Sequence, residues 1–167
     1  MTADETRWLT EEEQQAWRAF LTACQTLFTA ADAQLLRDSG IPHGYYEILV
    51  RLSETPGRAL RMTQLAEAST SSKSRLSHAV ARLEERGWVR RTDCPTDRRG
   101  QVAQLTDEGF AALAAAAPGH VEQIRRSRID QLTPEQIEQL REISEKIVAS
   151  ADPLSRSAGG LAAGSCC

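Results

Sequence analysis

The stretch from Met62 to Gly109, MTQLAEASTSSKSRLSHAVARLEERGWVRRTDCPTDRRGQVAQLTDEG, decides how the rest of the chain is read. Thr63 can cap a short helical segment carrying Leu65 and Ala66, which the polar run Ser69-Thr70-Ser71-Ser72 interrupts. Leu76, Ala79, Val80 and Leu83 then recur at helical spacing as far as Gly87, a C-terminal stop. Two short helices joined by a tight polar turn are a helix-turn-helix candidate. Beyond Gly87 the period becomes that of strands: residues 88–92 and 101–105 read as a hairpin around a turn-rich loop at 93–100. A hairpin directly after a helix-turn-helix is a wing.

Upstream, Thr10 and Glu13 form a capping box ahead of Trp17, Phe20, Leu21, Cys24, Leu27, Phe28, Ala31 and Leu35. That spacing predicts one long amphipathic helix ending near Ser39-Gly40. Pro42 can sit in the first turn of a second helix carrying Tyr45, Ile48, Leu49 and Leu52, stopped by Thr55-Pro56-Gly57. Downstream, Thr106 caps an Ala-rich helix through Phe110, Leu113, Ala117, Val121 and Ile124, with a kink or break expected at Pro118-Gly119. Thr133-Pro134-Glu135-Gln136 opens a last helix with Ile137, Leu140, Ile143, Ile147 and Val148 on one face. From about Ser150 the chain turns to Ser, Ala and Gly, which predicts a disordered tail. The fold class expected is mainly α with a small β-hairpin wing. The divisions are an extension at 1–9, N-terminal helices at 10–55, a winged helix-turn-helix at 56–105, C-terminal helices at 106–150 and the tail at 151–167.

With 167 residues, 41% hydrophobic, 26% charged and a mean hydropathy of -0.41, the composition is that of an ordinary globular protein. No run approaches the ~20 apolar residues of a membrane span. The acidic start lacks the basic-then-apolar order of a secretory signal, so a cytoplasmic protein with no membrane partner is expected. Net charge is -3, but Pro56 to Gln101 carries ten basic and five acidic side chains, +5, and the remainder is -8. A basic module in an acidic frame points to a polyanion partner. Cys24, Cys94, Cys166 and Cys167 have neither disulfide nor zinc spacing, so reduced thiols are expected, and His43, His78 and His120 lack a second ligand. No metal, cofactor or enzymatic motif is foreseen.

In the helix after Ser72, the stripe at Leu76, Ala79, Val80 and Leu83 leaves Ser74, Ser77, His78, Ala81, Arg82 and Glu85 facing outward. Small polar groups with a few cations suit entry into the DNA major groove, and the free amides beside Ser72 suit a phosphate. An ordinary solvated helix face has the same composition. Ser77, His78 and Arg82 are the candidate base readers; Arg58, Arg61, Lys73, Arg75 and Arg98 are candidate phosphate contacts. Arginines at a hairpin tip suit a narrow minor groove. The plainer alternative there is an exposed turn with a weak charge pair.

Leu65-Ala66-Glu67, the run from Ser72 to His78, Arg82-Leu83-Glu84-Glu85-Arg86-Gly87-Trp88-Val89, Asp97-Arg98-Arg99 and Leu105-Thr106-Asp107-Glu108-Gly109 stand here in one order. On these residues the chain resembles the multiple antibiotic resistance regulator (MarR) family of winged-helix transcription factors. The resemblance implies a recognition helix with Ser72, Lys73, Ser74, Arg75, Ser77, His78 and Arg82 toward DNA. In the wing, Asp97 would brace Arg99 as the minor-groove reader. It also implies a homodimer, built from the N- and C-terminal helices, on a palindromic double-stranded operator, acting as a repressor that a small, often aromatic, ligand releases. Candidate residues for that effector cleft are Trp17, Cys24, His43, Tyr45, Tyr46 and His120. Cys24 also resembles the first-helix cysteine of peroxide-sensing members. Phe28, one turn on, lacks the hydroxyl those sensors use, and a buried cysteine acting as a small hydrophobe fits equally. Cys94 is expected to be exposed in the wing, where its oxidation would block DNA entry. Two alternative functions stand beside the regulator: a winged-helix protein-interaction module, and a thiol-redox-responsive regulator of the same fold.

Overall fold

A computed structural model describes residues 6–69, 72–94 and 97–150, with the backbone alone at 97–99. Helix α1 (Glu11–Ser39) opens on the expected capping box: Thr10 Oγ1 accepts from the Glu13 amide at 3.2 Å, and Glu13 Oε2 accepts from the Thr10 amide at 2.8 Å. Twenty-nine residues of helix reach about 43 Å, more than one small core can cover. Only its C-terminal end is buried, through Ala31, Gln34 and Leu35, while Trp17, Phe20, Leu21 and Phe28 stay exposed. Helix α2 (His43–Ser53) follows, with Pro42 as its cap, and buries Tyr46, Ile48, Leu49 and Leu52.

Strand β1 (Ala59–Arg61) has no counterpart in the sequence expectations, because three residues are too few to display a period of two. It determines where the next helix starts. Arg61 pairs with Val102 and stays extended, so helix α3 (Met62–Ala68) begins at the following residue, with the Arg61 amide donating to Gln64 Oε1 at 3.2 Å. Thr63, expected as the cap, therefore lies inside the helix and is exposed. Helix α4 (Lys73–Glu85) opens on Ser72 as expected and closes over Gly87, whose φ of 74° is the left-handed conformation that favours glycine.

Strands β2 (Val89–Cys94) and β3 (Asp97–Leu105) form the hairpin, and the antiparallel sheet has the order β1-β3-β2. Pairing runs further than expected into the stretch read as a loop. The register shifts between Asp93 and Cys94, a bulge that lets the ladder continue through polar sequence. The same bulge offsets the alternation begun at buried Val89. Cys94 is therefore buried as well (2% exposed), with the Arg61 guanidinium donating toward its Sγ at 3.4 Å, and it is disulfide-bonded. This corrects both the expected exposure of Cys94 and its expected reduced thiol. Cys24 is free and half-buried.

Helix α5 (Asp107–Ser127) starts on the expected Thr106 cap and runs through Pro118 and Gly119 without the expected break. Proline removes the amide that would serve the Ala114 carbonyl, and Ala114 is exposed, so solvent can reach that carbonyl. The start of α5 is pressed against the base of the wing. A Cβ on Gly109 would lie 2.1 Å from the Trp88 carbonyl oxygen, so only glycine fits. Helix α6 (Pro134–Ser150) opens on the capping box at Thr133 and Gln136, and buries no residue.

The core lies between α2, α3, α4, the sheet and the adjoining ends of α1 and α5. Leu49, Leu52, Leu65, Leu76, Val80 and Leu83 are almost wholly buried, each worth about 2 kcal/mol of transfer free energy. The expected tail at 151–167 lies outside the described residues. Among the described residues no helix is long and apolar enough to cross a membrane.

Candidate nucleic-acid interface

Ser72, the N-cap of α4, has an extended backbone, and its hydroxyl accepts from the Arg75 amide at 3.4 Å. Capping consumes one amide of the first turn and leaves the others directed outward at the helix end, where the dipole favours an anion. Lys73, Ser74 and Arg75 crowd this end and are exposed. With Leu76, Val80 and Leu83 packed inward, Ser77, His78 and Arg82 all lie on the exposed face. Arg82 donates to Glu85 Oε2 at 2.7 Å, a bond that raises its already high pKa further. All seven expected positions, Ser72 to Arg75, Ser77, His78 and Arg82, are exposed. Asp97, Arg98 and Arg99 stand at the hairpin end of β3, but their side chains lie outside the described residues.

Several cations counted in the basic stretch are already engaged within the protein. Arg58 stacks on the Phe110 ring at 3.9 Å and donates to Asp107 at 3.1 Å. Arg61 is turned to Cys94. Arg86 lies over Trp88 and donates to the Gly40 carbonyl, while Arg90 makes two bonds to Gln104 Oε1, at 3.0 and 2.8 Å. Arg91 is paired with Glu84. The local positive excess therefore overstated the cations available to a polyanion. Sequence carries charge counts but not partners.

A second region lies where α1, α2 and α5 meet. His43, Tyr46 and His120 line a cleft of about 280 Å³ with Glu47, Val50, Arg51 and Glu54. The Tyr46 and His120 rings are 4.7 Å apart, His43 and His120 5.9 Å, and Phe28 closes on His43 at 5.8 Å. Burial, then neighbouring His43 and Arg128, lowers the pKa of His120, and burial raises that of Tyr46. Trp17, Cys24 and Tyr45, also expected at such a cleft, do not line it: Trp17 packs on Phe20 along α1, and Tyr45 packs against the core. Glu47, Arg51 and the buried Gln34 beside His120 were missed. Gln34 left one legible signal, a polar residue inside the apolar stripe of Ala31 and Leu35. Among the described residues no group of three His, Cys, Asp or Glu is placed to hold a metal.

A family model described as MarR family matches residues 39–100. The crystal structure of Sco3205, a MarR family transcriptional regulator from Streptomyces coelicolor in complex with DNA, is similar at 54% identity and a TM-score of 0.86, covering 90% of this chain and 94% of that one. The transcriptional regulator HosA of Escherichia coli O111:H- is 40% identical over 73 residues, 44% of this chain and 53% of its own length. The chain thus spans about half the length of such curated relatives. The transcriptional repressor MprA of Escherichia coli K12 is 26% identical over 121 residues, covering 72% of this chain and 68% of that one.

Proposed function

The chain belongs to the MarR family, and from that premise we propose that it is a homodimeric, sequence-specific DNA-binding transcriptional regulator, a repressor released by a small ligand. The observation that carries the proposal is the outward face of α4, where Ser74, Ser77, His78 and Arg82 are exposed on a helix anchored by a buried stripe. Side chains of this size and polarity meet base edges in a major groove, with Lys73, Arg75 and the capped helix end on phosphate. Arg99, braced by Asp97, would follow the minor groove. Similarity to Sco3205, itself crystallised on DNA, supports this assignment, and similarity to MprA supports repression.

A second copy of the chain supplies the partner that a palindromic site requires. Ile137, Leu140, Ile143 and Ile147 form an exposed apolar row on α6, and Trp17, Phe20 and Leu21 another on α1. Rows of this extent on a monomer mark an interface. The effector would enter the cleft at His43, Tyr46 and His120, which lies between α2 and α5 with Phe28 of α1 at its edge. The relatives named above are regulators and none is an enzyme, which supports a non-catalytic role.

The test is fluorescence anisotropy of the full chain and Arg99→Ala on duplexes selected by the protein from a random library, over a salt series. Salt-sensitive binding that prefers the selected duplex and weakens in the variant is expected. Binding indifferent to sequence and to the variant would overturn the proposal and leave the protein-interaction module.

A further inference from the structure

Strand β2 is an outer strand of the sheet, so alternate backbone groups along it have no strand to pair with. One of these is the Arg91 amide. It donates to Glu84 Oε1 at 2.8 Å, while Glu84 Oε2 accepts from Arg91 Nε at 2.6 Å and from its terminal nitrogen at 2.5 Å. One carboxylate on α4 thus holds both the backbone and the guanidinium of a single residue on the wing. Both side chains are about three-quarters buried, unlike the exposed pair Arg82–Glu85 on the same helix. Charge-assisted, two-point pairing of this kind fixes geometry as well as distance.

Other ties between the end of α4 and the hairpin lie at its base, where Arg86 also covers the Trp88 ring. The Trp88 amide donates to the Leu83 carbonyl, the Thr106 hydroxyl to the Gly87 carbonyl and the Thr106 amide to the Trp88 carbonyl. These form a hinge line at the base. β1 pairs with β3 as far as Val102, opposite Thr92, and beyond it the hairpin continues as a two-stranded lever, whose outer strand Glu84 grips at Arg91, beside the point where the lever begins.

We propose that Glu84 is a positioning residue that sets the tilt of the wing relative to α4, so that helix and wing engage adjacent grooves of one DNA site together. This rests on the DNA-binding function proposed above. Glu84 touches no DNA itself. Its effect is a specificity requirement, because only a duplex whose minor groove lies where the clamped wing points receives both sets of contacts. Releasing the clamp lets the wing sample other tilts, and its contribution to a particular site averages away while α4 still reads its bases.

The test is a pair of double-mutant cycles on the full chain, using duplexes selected from a random library by the wild type. In the wild-type background Arg99→Ala is expected to weaken binding about tenfold or more. In Glu84→Gln, which keeps the shape but loses the charge, the same change should cost less than about twofold, the limit within which independent sites add. His78→Ala should cost the same in both backgrounds. Arg91→Gln, which breaks the guanidinium bonds but leaves the backbone bond in place, should reproduce the pattern, and circular dichroism checks that both variants are folded. Equal cost of Arg99→Ala in every background would overturn the proposal, as would loss of both cycles' effects to the same degree or unfolding of both variants, which would make the pair a stability element. Failure of the wild type to select any duplex would instead remove the DNA-binding function itself.

Discussion

Gln34 on α1 and His120 on α5, both buried, meet through a 3.2 Å hydrogen bond between Oε1 and Nδ1. The orientation is determined by what Gln34 does with its other end: its amide nitrogen donates to Asp38 Oδ2 at 2.9 Å. Its oxygen therefore faces the imidazole, Nδ1–H is the donor, and Nε2 of the neutral ring is left as an acceptor. Asp38, also held by Arg37, has its carboxyl pushed below the usual range by the Gln34 bond first and Arg37 second. A directed chain of bonds therefore ties the long helix α1 to α5 beside the cleft.

The first consequence is a pH dependence of stability. Burial lowers the pKa of His120, so the unfolded state binds more protons and stability rises with pH. The contribution is complete above the unfolded value of about 6.5 and is lost as pH falls through it toward the folded pKa. The His43 ring lies 5.9 Å away and the Arg128 cation bears on the same ring, so a charged imidazole is disfavoured there. Urea midpoints measured from about pH 7.5 down to about 5.5 should fall more steeply for the wild type than for His120→Asn, which keeps a donor toward Gln34 and cannot titrate. Parallel slopes would remove His120 from this role.

Close packing at the base of the wing sets a second expectation. Gly109→Ala forces its methyl to 2.1 Å from the Trp88 carbonyl oxygen and to 2.8 Å from Leu105. Because the first clash is with backbone, relief requires α5 to move, and a loss of about 3 kcal/mol is expected. Chemical denaturation of the variant measures it directly. Stability within about 0.5 kcal/mol of the wild type would show that the helix start yields freely.

Contacts to phosphate and to bases should separate in salt titrations. Lys73→Ala or Arg75→Ala removes a cation at the start of α4, and the slope of log K against log salt should fall by about one while sequence preference is kept. His78→Ala should cost about 1–3 kcal/mol on a selected duplex and far less on unrelated DNA. Equal loss on all duplexes after His78→Ala would assign that side chain to the phosphates.

Ile143 lies in the middle of the exposed row on α6. Placing a charge there leaves a lone protomer nearly unaffected but would put a carboxylate inside the proposed dimer. Analytical ultracentrifugation of Ile143→Asp should therefore give a monomer, or a dimer weakened by orders of magnitude, with circular dichroism unchanged. An intact dimer would place the interface elsewhere.

Capping boxes at Thr10 and Thr133, the N-caps at Ser72 and Thr106 and the stop at Gly87 were legible because each is a bond between residues three or four apart, written in side-chain type. The buried face of α4, and with it the exposed face opposite, followed from periodicity alone. Strand β1, by contrast, exists only because Leu60 finds Ala103, and Thr63 lost its capping role to that pairing. Local pattern likewise gave no sign that Arg58 would lie on Phe110 or that Arg61, Arg86, Arg90 and Arg91 would be engaged within the protein.

The chain by itself determined its helices, their order, and the polarity of the surface that α4 displays, since these depend on contacts within a few residues. Tertiary structure alone decided which charges remain free, which histidines meet, and how the wing is held to the helix. Gln34–His120 spans 86 residues, and Glu84–Arg91 depends on a turn and a strand edge lying between them. Such pairs form only when separate apolar faces have already been buried against each other. Their polar partners are selected by that packing, a property of the assembled core that no local window of sequence contains.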